Sequence, residues 1–289
     1  MLSICRYTNQ NPLTTTLQSG QVLHLVEQNY NDISGTSITA NHPVAVFSGH
    51  SHMATDFMGS RDMVVEQLPH TGTFGTRFAA VPFQSMDSHY YLIAVSDRAL
   101  TKVKVEGREF LLHRAGDFTQ PLSISNIRHN FVYVEADKPI LLSQWVSGSA
   151  NDKSSGPSVL IVPPLEQYLT DYSFMVPEHP DIGMMYESEL HVIFPEGKGD
   201  LLMLDNMPLD TNFHPVKGSD LYGLRKAIRP GVHHIFSRDE STKFGIYLKS
   251  SDVMSCAIAY GAGRCHWIVS IPCIFMYSYY MMYIHINSV

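Results

Sequence analysis

The chain has 289 residues, of which 44% are hydrophobic, and its 20 Lys+Arg against 27 Asp+Glu give a formal net charge of −7 at pH 7. This composition excludes a disordered, collagenous or coiled-coil chain and predicts a globular protein, for which the length allows two or three domains. The mild acidity argues against a nucleic-acid partner, because such proteins neutralise phosphates with a surplus of Lys and Arg.

The N-terminal segment, Met1 to Thr16, has no apolar stretch after a basic start. It therefore indicates no secretory signal, and we interpret the sequence as a fragment. Cys5 lies in this segment, whereas Cys256, Cys265 and Cys273 lie near the other end. This spacing excludes a disulfide framework across the chain and leaves room for one local bridge.

Short runs of β-branched and aromatic residues recur along the chain, bounded by Gly, Pro, Asn, Asp and Ser. Such runs predict strands joined by turns. One hairpin is predicted around Glu106-Gly107, which provides a turn that accepts positive φ. One helical turn is predicted at 165–169, after Pro163-Pro164. The predicted strands are 21–26, 44–47, 90–95, 102–105, 131–134, 140–146, 159–162, 190–194, 201–204, 232–236 and 244–248.

An internal repeat is the most informative feature of the sequence. Residues with similar neighbours recur 96 positions apart, and the pairs are Gly20 and Gly116, Ala40 and Ala136, Pro43 and Pro139, and Phe78 and Phe174. We therefore predict an all-β fold of tandem β-sandwich-like units, each of about 100 residues, packed together. The predicted units are 1–87 (a partial first unit), 88–187 (the second) and 188–264 (a third, weaker copy), followed by an apolar tail at 265–289.

The tail at 265–289 contains no Lys, Arg, Asp or Glu. Its length is sufficient to cross a bilayer, but Pro272 interrupts it and no positive anchor follows. Three interpretations therefore stay open: an artefact at the end of the gene, a membrane segment, or buried strands. A membrane partner is predicted only if the tail is real.

Three segments carry a resemblance to a known family: VVEQLPHTGTFGTRFAAVPF at 64–83, ADKPILLSQWVSG at 136–148 and SVLIVPPLEQYLTDYSFMVP at 158–177. With them, the region from Thr16 to Gly261 resembles the N-terminal domain of the immunoglobulin G Fc-binding protein family. The resemblance implies an extracellular, non-enzymatic, all-β recognition module, secreted or at the cell surface, often joined to von Willebrand factor type D or other adhesive domains. It implies a protein or glycoprotein partner, and Fc binding is the activity of the founding member.

The sequence departs from this family in two places. Family members often have a Cys in the loop after the VFSG strand, where this chain has HSHMATDFMGSRD at 50–62. The third repeat is also cut short after Arg264. The first departure puts the disulfide that the resemblance implies in doubt.

His50 and His52 are candidate metal ligands, because residues two apart on a strand share one face. Asp56 and the adjacent pair His233 and His234 would add further ligands. No complete ligand set is identifiable, so we favour a polar loop here and predict no metal site.

Glu66 and Glu166 stand in similar segments, VEQLP and LEQYL. As an acid and base pair they would favour a hydrolase. Because their neighbours are duplicated with them, we instead predict equivalent structural positions, in which each Glu-Gln pair binds backbone groups at a strand end.

The segment 147–158 combines Ser147, Ser149, Asn151 and Asp152, but it lacks the GxSxG elbow and a placed histidine. We interpret it as a polar connector or binding loop. Trp145, just before it, is predicted to lie in the core rather than at an interface.

These observations predict no catalytic, cofactor-binding or metal-binding residues. The leading hypothesis is a non-enzymatic extracellular recognition or adhesion module that binds a protein or glycoprotein through loops. A hydrolase or carbohydrate-active enzyme on a β-sandwich and a purely structural spacer in a large secreted protein are the alternatives. The 15 His also suggest a response to acid, as a hypothesis.

Overall fold

A computed structural model of the chain describes residues 12–26, 32–53, 61–82, 89–125, 130–146, 157–176, 187–251, 257–262 and 281–286. These residues form strands, turns and three short 3-10 helices, at Thr71–Thr73, Leu165–Gln167 and Gly199–Leu201. The predicted all-β class is therefore confirmed, and the predicted helical turn is the second of these helices. No helix in the described part of the chain is long and apolar enough to cross a lipid bilayer.

All eleven predicted strand runs lie on or overlap strands of the structure. The strands in chain order are β1 (Val22–Leu25), β2 (Val44–Met53), β3 (Asp62–Leu68), β4 (Gly75–Ala80), β5 (His89–Ser96), β6 (Thr101–Val105), β7 (Arg108–Leu112), β8 (Leu122–Ser125), β9 (Val132–Val146), β10 (Ser158–Ile161), β11 (Asp171–Val176), β12 (Glu187–Pro195), β13 (Leu202–Leu204), β14 (Met207–Pro208), β15 (His214–Pro215), β16 (Leu221–Ile228), β17 (Gly231–Ser237), β18 (Gly245–Ser251), β19 (Ala257–Ala262) and β20 (Met281–Ile286).

Within the described residues these strands form four antiparallel sheets. The first sheet has the order β1-β20-β2-β3, and the second has the order β7-β6-β9-β5-β8, with β4 and β10 also paired to β9. The third sheet has the order β11-β17-β13-β14, and the fourth has the order β15-β16-β12-β18-β19. Only β20 of the predicted apolar tail is described, and its backbone lies between β1 and β2. The interpretation of the tail as a whole stays a prediction.

Two hydrophobic cores hold these sheets together. The first is built on β4 to β10 and includes Phe78, Leu92, Val134 and Leu142. The second lies between the third and fourth sheets and includes Phe174, Leu190, Phe194, Ile235 and Leu248. Strands contribute alternate residues to a core because successive side chains point to opposite faces. In β6, for example, Val103 and Val105 are buried while Lys102 and Lys104 are exposed.

The strand pairing runs in the same order in two parts of the chain. The order β4-β9-β6-β7 in the first part matches β11-β17-β13-β14 in the second. The order β8-β5-β9-β10 likewise matches β16-β12-β18-β19. Both parts also contain a two-residue hairpin turn with positive φ at both positions, Glu106-Gly107 and Asp205-Asn206, as the right-handed twist of paired strands favours.

A tandem duplication stays a prediction, which this shared order supports. Across the predicted boundaries at 87/88 and 187/188, β4 pairs with β9 and β11 pairs with β17. The pairing register matches Phe78 with Tyr172. Phe78 pairs with Val134 and Tyr172 pairs with Ile235, and Val134 and Ile235 each lie opposite the residue that precedes a hairpin turn. The sequence comparison had matched Phe78 with Phe174 instead.

Buried tyrosines connect the two parts of the chain. The Tyr168 hydroxyl lies 3.1 Å from the Tyr247 hydroxyl, which in turn donates a hydrogen bond of 2.8 Å to the carbonyl oxygen of Ala79. Burial raises the pKa of both phenols well above the ordinary value, so both stay protonated and can donate. Tyr247, on β18, is thereby joined to β4 of the first core.

We expect Tyr247→Phe to lower the free energy of unfolding by about 1.5 kcal/mol, since it leaves the buried carbonyl of Ala79 without this donor. Urea denaturation of the variant and the unmodified chain measures the loss. Tyr222→Phe is the matched control, because the Tyr222 hydroxyl bonds to Glu196 at an exposed site. Equal losses in the two variants would contradict the assignment of this stability to the buried hydroxyl.

Candidate interaction surface

The outer face of the third sheet carries large apolar side chains among polar ones. Along β11, Tyr172, Phe174 and Val176 are buried in the second core, whereas Asp171, Ser173 and Met175 alternate with them and are exposed. Successive residues of a strand point to opposite faces, so the exposed set faces away from the sandwich. Polar residues are the usual occupants of such a solvent face.

The apolar residues of this face form two groups. Met175 of β11 pairs with Val232 of β17, and these residues are 55% and 79% exposed. Met203 of β13 pairs with Phe236 of β17 on one side and with Pro208 of β14 on the other, and Met203 and Phe236 are partly exposed. We call Met175, Val232, Met203, Phe236 and Pro208 the outer β17 face. Exposed apolar surface on a sheet is a candidate interaction site.

The corresponding face of the first part of the chain is charged. Lys104 of β6 lies opposite both Glu135 of β9 and Glu109 of β7, and its Nζ is 3.0 Å from Glu135 Oε1. Lys102 Nζ lies 3.5 Å from Glu109 Oε1 on the same face. Cross-strand ion pairs such as these are ordinary on a solvated sheet.

The two faces can be compared position by position, because the strands pair in the same register. Met203 takes the place of Lys104, Phe236 that of Glu135, and Pro208 that of Glu109. The same arrangement of strands thus carries ion pairs in one part and apolar side chains in the other. The fold itself therefore does not require apolar side chains at these three positions.

A network of two histidines and two carboxylates lies within and beside the outer β17 face, where His234 stands between Val232 and Phe236 on β17. His233 Nδ1 lies 2.7 Å from Asp205 Oδ2, and His233 Nε2 lies 2.8 Å from the carbonyl oxygen of Arg229. His234 Nε2 lies 2.7 Å from Asp171 Oδ2, and the His234 main-chain N–H donates to Asp205 Oδ1. Burial alone would raise the pKa of Asp205, but these bonds from His234 and His233 outweigh it and lower the pKa.

The candidate metal ligands of the sequence analysis lie on different strands, His50 and His52 on β2 and His233 and His234 on β17. His50 Nδ1 accepts a hydrogen bond of 2.9 Å from the main-chain N–H of His52, and both residues lie on β2. Burial and the neighbouring His52 lower the pKa of His50. Asp56 lies outside the described residues, while His233 and His234 bind the acceptors named above. The described part of the chain places no three His, Cys, Asp or Glu side chains together as a metal site.

Glu66 and Glu166 occupy different elements, so the prediction of equivalent positions is wrong. Glu66 lies on β3, whereas Glu166 lies in the 3-10 helix after β10, where it accepts hydrogen bonds from Thr76 and Arg77. The backbone role predicted for the Glu-Gln pairs is seen at Gln167, which donates 2.6 Å to the carbonyl oxygen of Thr73. The 3-10 helix at Thr71–Thr73, after β3, is the counterpart of the one that contains Glu166.

Trp145 is only partly buried on β9, between the buried Gln144 and Val146, and its indole N–H donates 2.9 Å to Ser143 Oγ. The prediction of a core position therefore holds in part. Ser147, Gly148, Ser149, Asn151 and Asp152 lie outside the described residues, and the predicted binding loop there stays a prediction.

Comparison with known proteins agrees with the resemblance seen in the sequence. A human protein named IgGFc-binding protein is 30% identical in an alignment 169 residues long, which covers 53% of this chain and 3% of that protein. The chain thus spans a small part of this relative. Residues 3–248 match the model of the family described as IgGFc binding protein, which is most of the chain. The chain belongs to the IgGFc-binding protein family.

Proposed function

We propose that this chain is a non-enzymatic recognition domain of an extracellular protein and that it binds a folded protein partner through the outer β17 face. The observation that carries the proposal is an outer face on which Met203, Phe236 and Pro208 take the places of ion-paired residues of the first part. The exposed pair Met175 and Val232 lies on the same face. Leaving apolar surface in water is unfavourable, and burial against a partner removes that penalty.

The surroundings of the face fit an interface as well. Protein interfaces commonly have an apolar centre with aromatic and Met residues and a polar rim. Here Phe236 and the two methionines supply apolar side chains, and Asp171 and His234 supply polar side chains beside them. The turns at Asp205-Asn206 and at 229–230 lie beside the sheet, so recognition through loops and recognition through the sheet face are compatible.

The partner we propose is the Fc region of immunoglobulin G, which the name of the human relative specifies for that protein. Family membership supports this partner. The apolar outer β17 face fits a partner that presents a complementary apolar patch on a folded domain.

The alternative of a hydrolase gains no support from Glu66 and Glu189, two carboxyl groups whose pKa values shift in opposite directions. A paired acid and base raise one another's pKa by repulsion between carboxylates. Burial raises the pKa of Glu66, and neighbouring His191 and Arg225 lower that of Glu189 against the opposing effect of burial. Neither shift has a second carboxylate as its cause.

The alternative of a structural spacer makes a different demand on the surface. A spacer that contacts no partner would keep polar residues on its solvated faces, as the first part of the chain does with Lys102, Lys104, Glu109 and Glu135. The outer β17 face departs from this pattern and therefore favours binding.

The test measures binding of the full chain to immobilised Fc and, separately, to Fab. We expect Fc to be bound and Val232→Glu to weaken binding about tenfold or more, because a charge then replaces the most exposed apolar side chain of the face. Leu111→Glu is the matched control: Leu111 is 43% exposed on β7, in the charged face, and lies opposite Lys102.

Each outcome of this experiment bears on a separate part of the proposal. If Fc binds and Val232→Glu and Leu111→Glu weaken that binding equally, the outer β17 face is not the binding site. Failure to bind Fc would overturn Fc as the partner. Circular dichroism and urea denaturation show whether either variant has lost its fold.

A further inference from the structure

Each ring nitrogen of His233 faces a hydrogen-bond acceptor. Its two ring nitrogens lie 2.7 Å from a carboxylate oxygen of Asp205 and 2.8 Å from the carbonyl oxygen of Arg229. Both of these oxygens can only accept hydrogen bonds. A neutral imidazole has a single N–H and would leave one nitrogen lone pair facing an oxygen, whereas the imidazolium donates to both.

The two acceptors belong to two different turns. Asp205 begins the turn between β13 and β14, and Arg229 lies in the turn between β16 and β17. His233 is mostly buried between them, with 13% of its side chain exposed, and its ring lies 5.6 Å from that of Phe174. Its neighbours in the chain, Val232 and His234, lie on the outer β17 face.

The same carboxylate also holds His234. Asp205 Oδ1 accepts the main-chain N–H of His234, and the His234 ring reaches Asp171 Oδ2 while stacking on Phe236 at 5.1 Å. The position of the Asp205 turn, the strand β17 and the aromatic part of the face are therefore connected through the two histidines.

We propose that His233 is a proton-dependent clasp that holds the Asp205 and Arg229 turns beside the outer β17 face and so strengthens partner binding in mildly acidic solution; the binding part rests on the proposed function. Loss of the proton at higher pH removes one of the two ring hydrogen bonds and releases one turn. The charged and titratable groups around the clasp are Asp205 from the β13–β14 turn, Asp171 from β11, His234 from β17 and Arg229 from the turn that precedes β17.

The clasp is tested first without a partner, on the full chain labelled with ¹⁵N in its histidines. At pH 6 we expect both ring nitrogens of His233 to show the chemical shifts of protonated nitrogen, and at pH 8 only one of them. The main-chain N–H of Asp205 donates 2.8 Å to the carbonyl oxygen of His234. We expect amide exchange at Asp205 to quicken about tenfold, beyond the intrinsic effect of pH, between these conditions, because one charge-assisted hydrogen bond is lost. A single protonated ring nitrogen at pH 6, or unchanged protection at Asp205, would overturn the proposal.

The second arm measures Fc binding at pH 6 and at pH 8. Affinity is expected to be about tenfold higher at pH 6 for the unmodified chain and independent of pH for His233→Gln. His70→Gln is the matched control, because His70 Nδ1 accepts a hydrogen bond from the N–H of Gly72 rather than donating one. A pH dependence that persists in His233→Gln refutes the clasp. Failure of Fc to bind at either pH refutes the proposed partner, and the NMR and amide-exchange measurements then test the clasp by themselves.

Discussion

Replacing Glu189 with Gln is expected to lower the free energy of unfolding by about 3 kcal/mol at pH 7, the usual effect of removing one partner from a buried ion pair. Glu189 lies on β12, and its Oε1 accepts a hydrogen bond from Arg225 on β16. Lys249 of β18 lies directly opposite Glu189, and both cations are mostly buried. The variant would leave these two cations in place without the carboxylate between them.

The pH dependence of this effect follows from the pKa of Glu189. Burial opposes ionisation, but the adjacent His191 ring and the Arg225 guanidinium outweigh it and lower the pKa from 4.5 to about 2. A carboxyl whose pKa is lower in the folded chain than in the unfolded chain contributes stability above pH 4.5, and that contribution is lost as the pH falls toward 2. The difference between the unmodified chain and Glu189→Gln should therefore shrink between pH 7 and pH 3.5.

Urea denaturation at these two pH values provides the measurement. Glu166→Gln is the control, because Glu166 pairs with Arg77 at an exposed site, where such pairs contribute little. Arg225→Met and the double variant complete a cycle that isolates the coupling between Glu189 and Arg225. The assignment is contradicted if Glu189→Gln loses no more stability than Glu166→Gln, or if the loss is the same at both pH values.

The strands were predictable because their signals are local. Runs of β-branched and aromatic residues between turn residues located β5, β12 and β18, and Glu106-Gly107 located the hairpin of β6 and β7. Among the missed strands, β14 and β15 have two residues each, and β4 contains the pair Ala79-Ala80, so their local signals are weak. β4 also pairs with β9, far along the chain, which composition does not reveal.

The outer β17 face was not predictable for a related reason. Alternation in DYSFMV separates Tyr172 and Phe174 from Ser173 and Met175, but it does not say that no further layer covers the second set. That knowledge requires the order of strands in the sheet and the comparison of Met203 with Lys104. The pair Glu66 and Glu166 shows the converse error, since similar letters occupy a strand in one case and a 3-10 helix in the other.

Glu66→Gln is expected to stabilise the chain by about 2 kcal/mol at pH 8 and to leave its stability unchanged at pH 4.5. Glu66 lies on β3 opposite Ser48 of β2, and burial raises its pKa from 4.5 to about 8, against a smaller opposing effect of a backbone hydrogen bond at Gln67. Among the described residues no Lys, Arg or His forms an ion pair with Glu66. The folded chain therefore favours the neutral carboxyl, which Gln resembles in size and shape.

The sign of the effect follows from the proton balance. Between pH 4.5 and pH 8 the folded chain holds a proton on Glu66 that the unfolded chain has released, so the free energy of unfolding falls as the pH rises. The full shift would correspond to a larger change, and we reduce it to about 2 kcal/mol because the side chain is not completely buried and water screens the charge. Gln carries no titrating proton and should remove this slope.

Urea denaturation at pH 4.5, 6 and 8 tests the prediction, with Glu166→Gln as a control that should keep the pH slope of the unmodified chain. Direct titration of the Glu66 carboxyl carbon by NMR should show its midpoint well above that of the exposed glutamates. A difference between Glu66→Gln and the unmodified chain that stays constant from pH 4.5 to pH 8 would show that Glu66 titrates normally. In that case the carboxyl would be hydrated despite its place on β3.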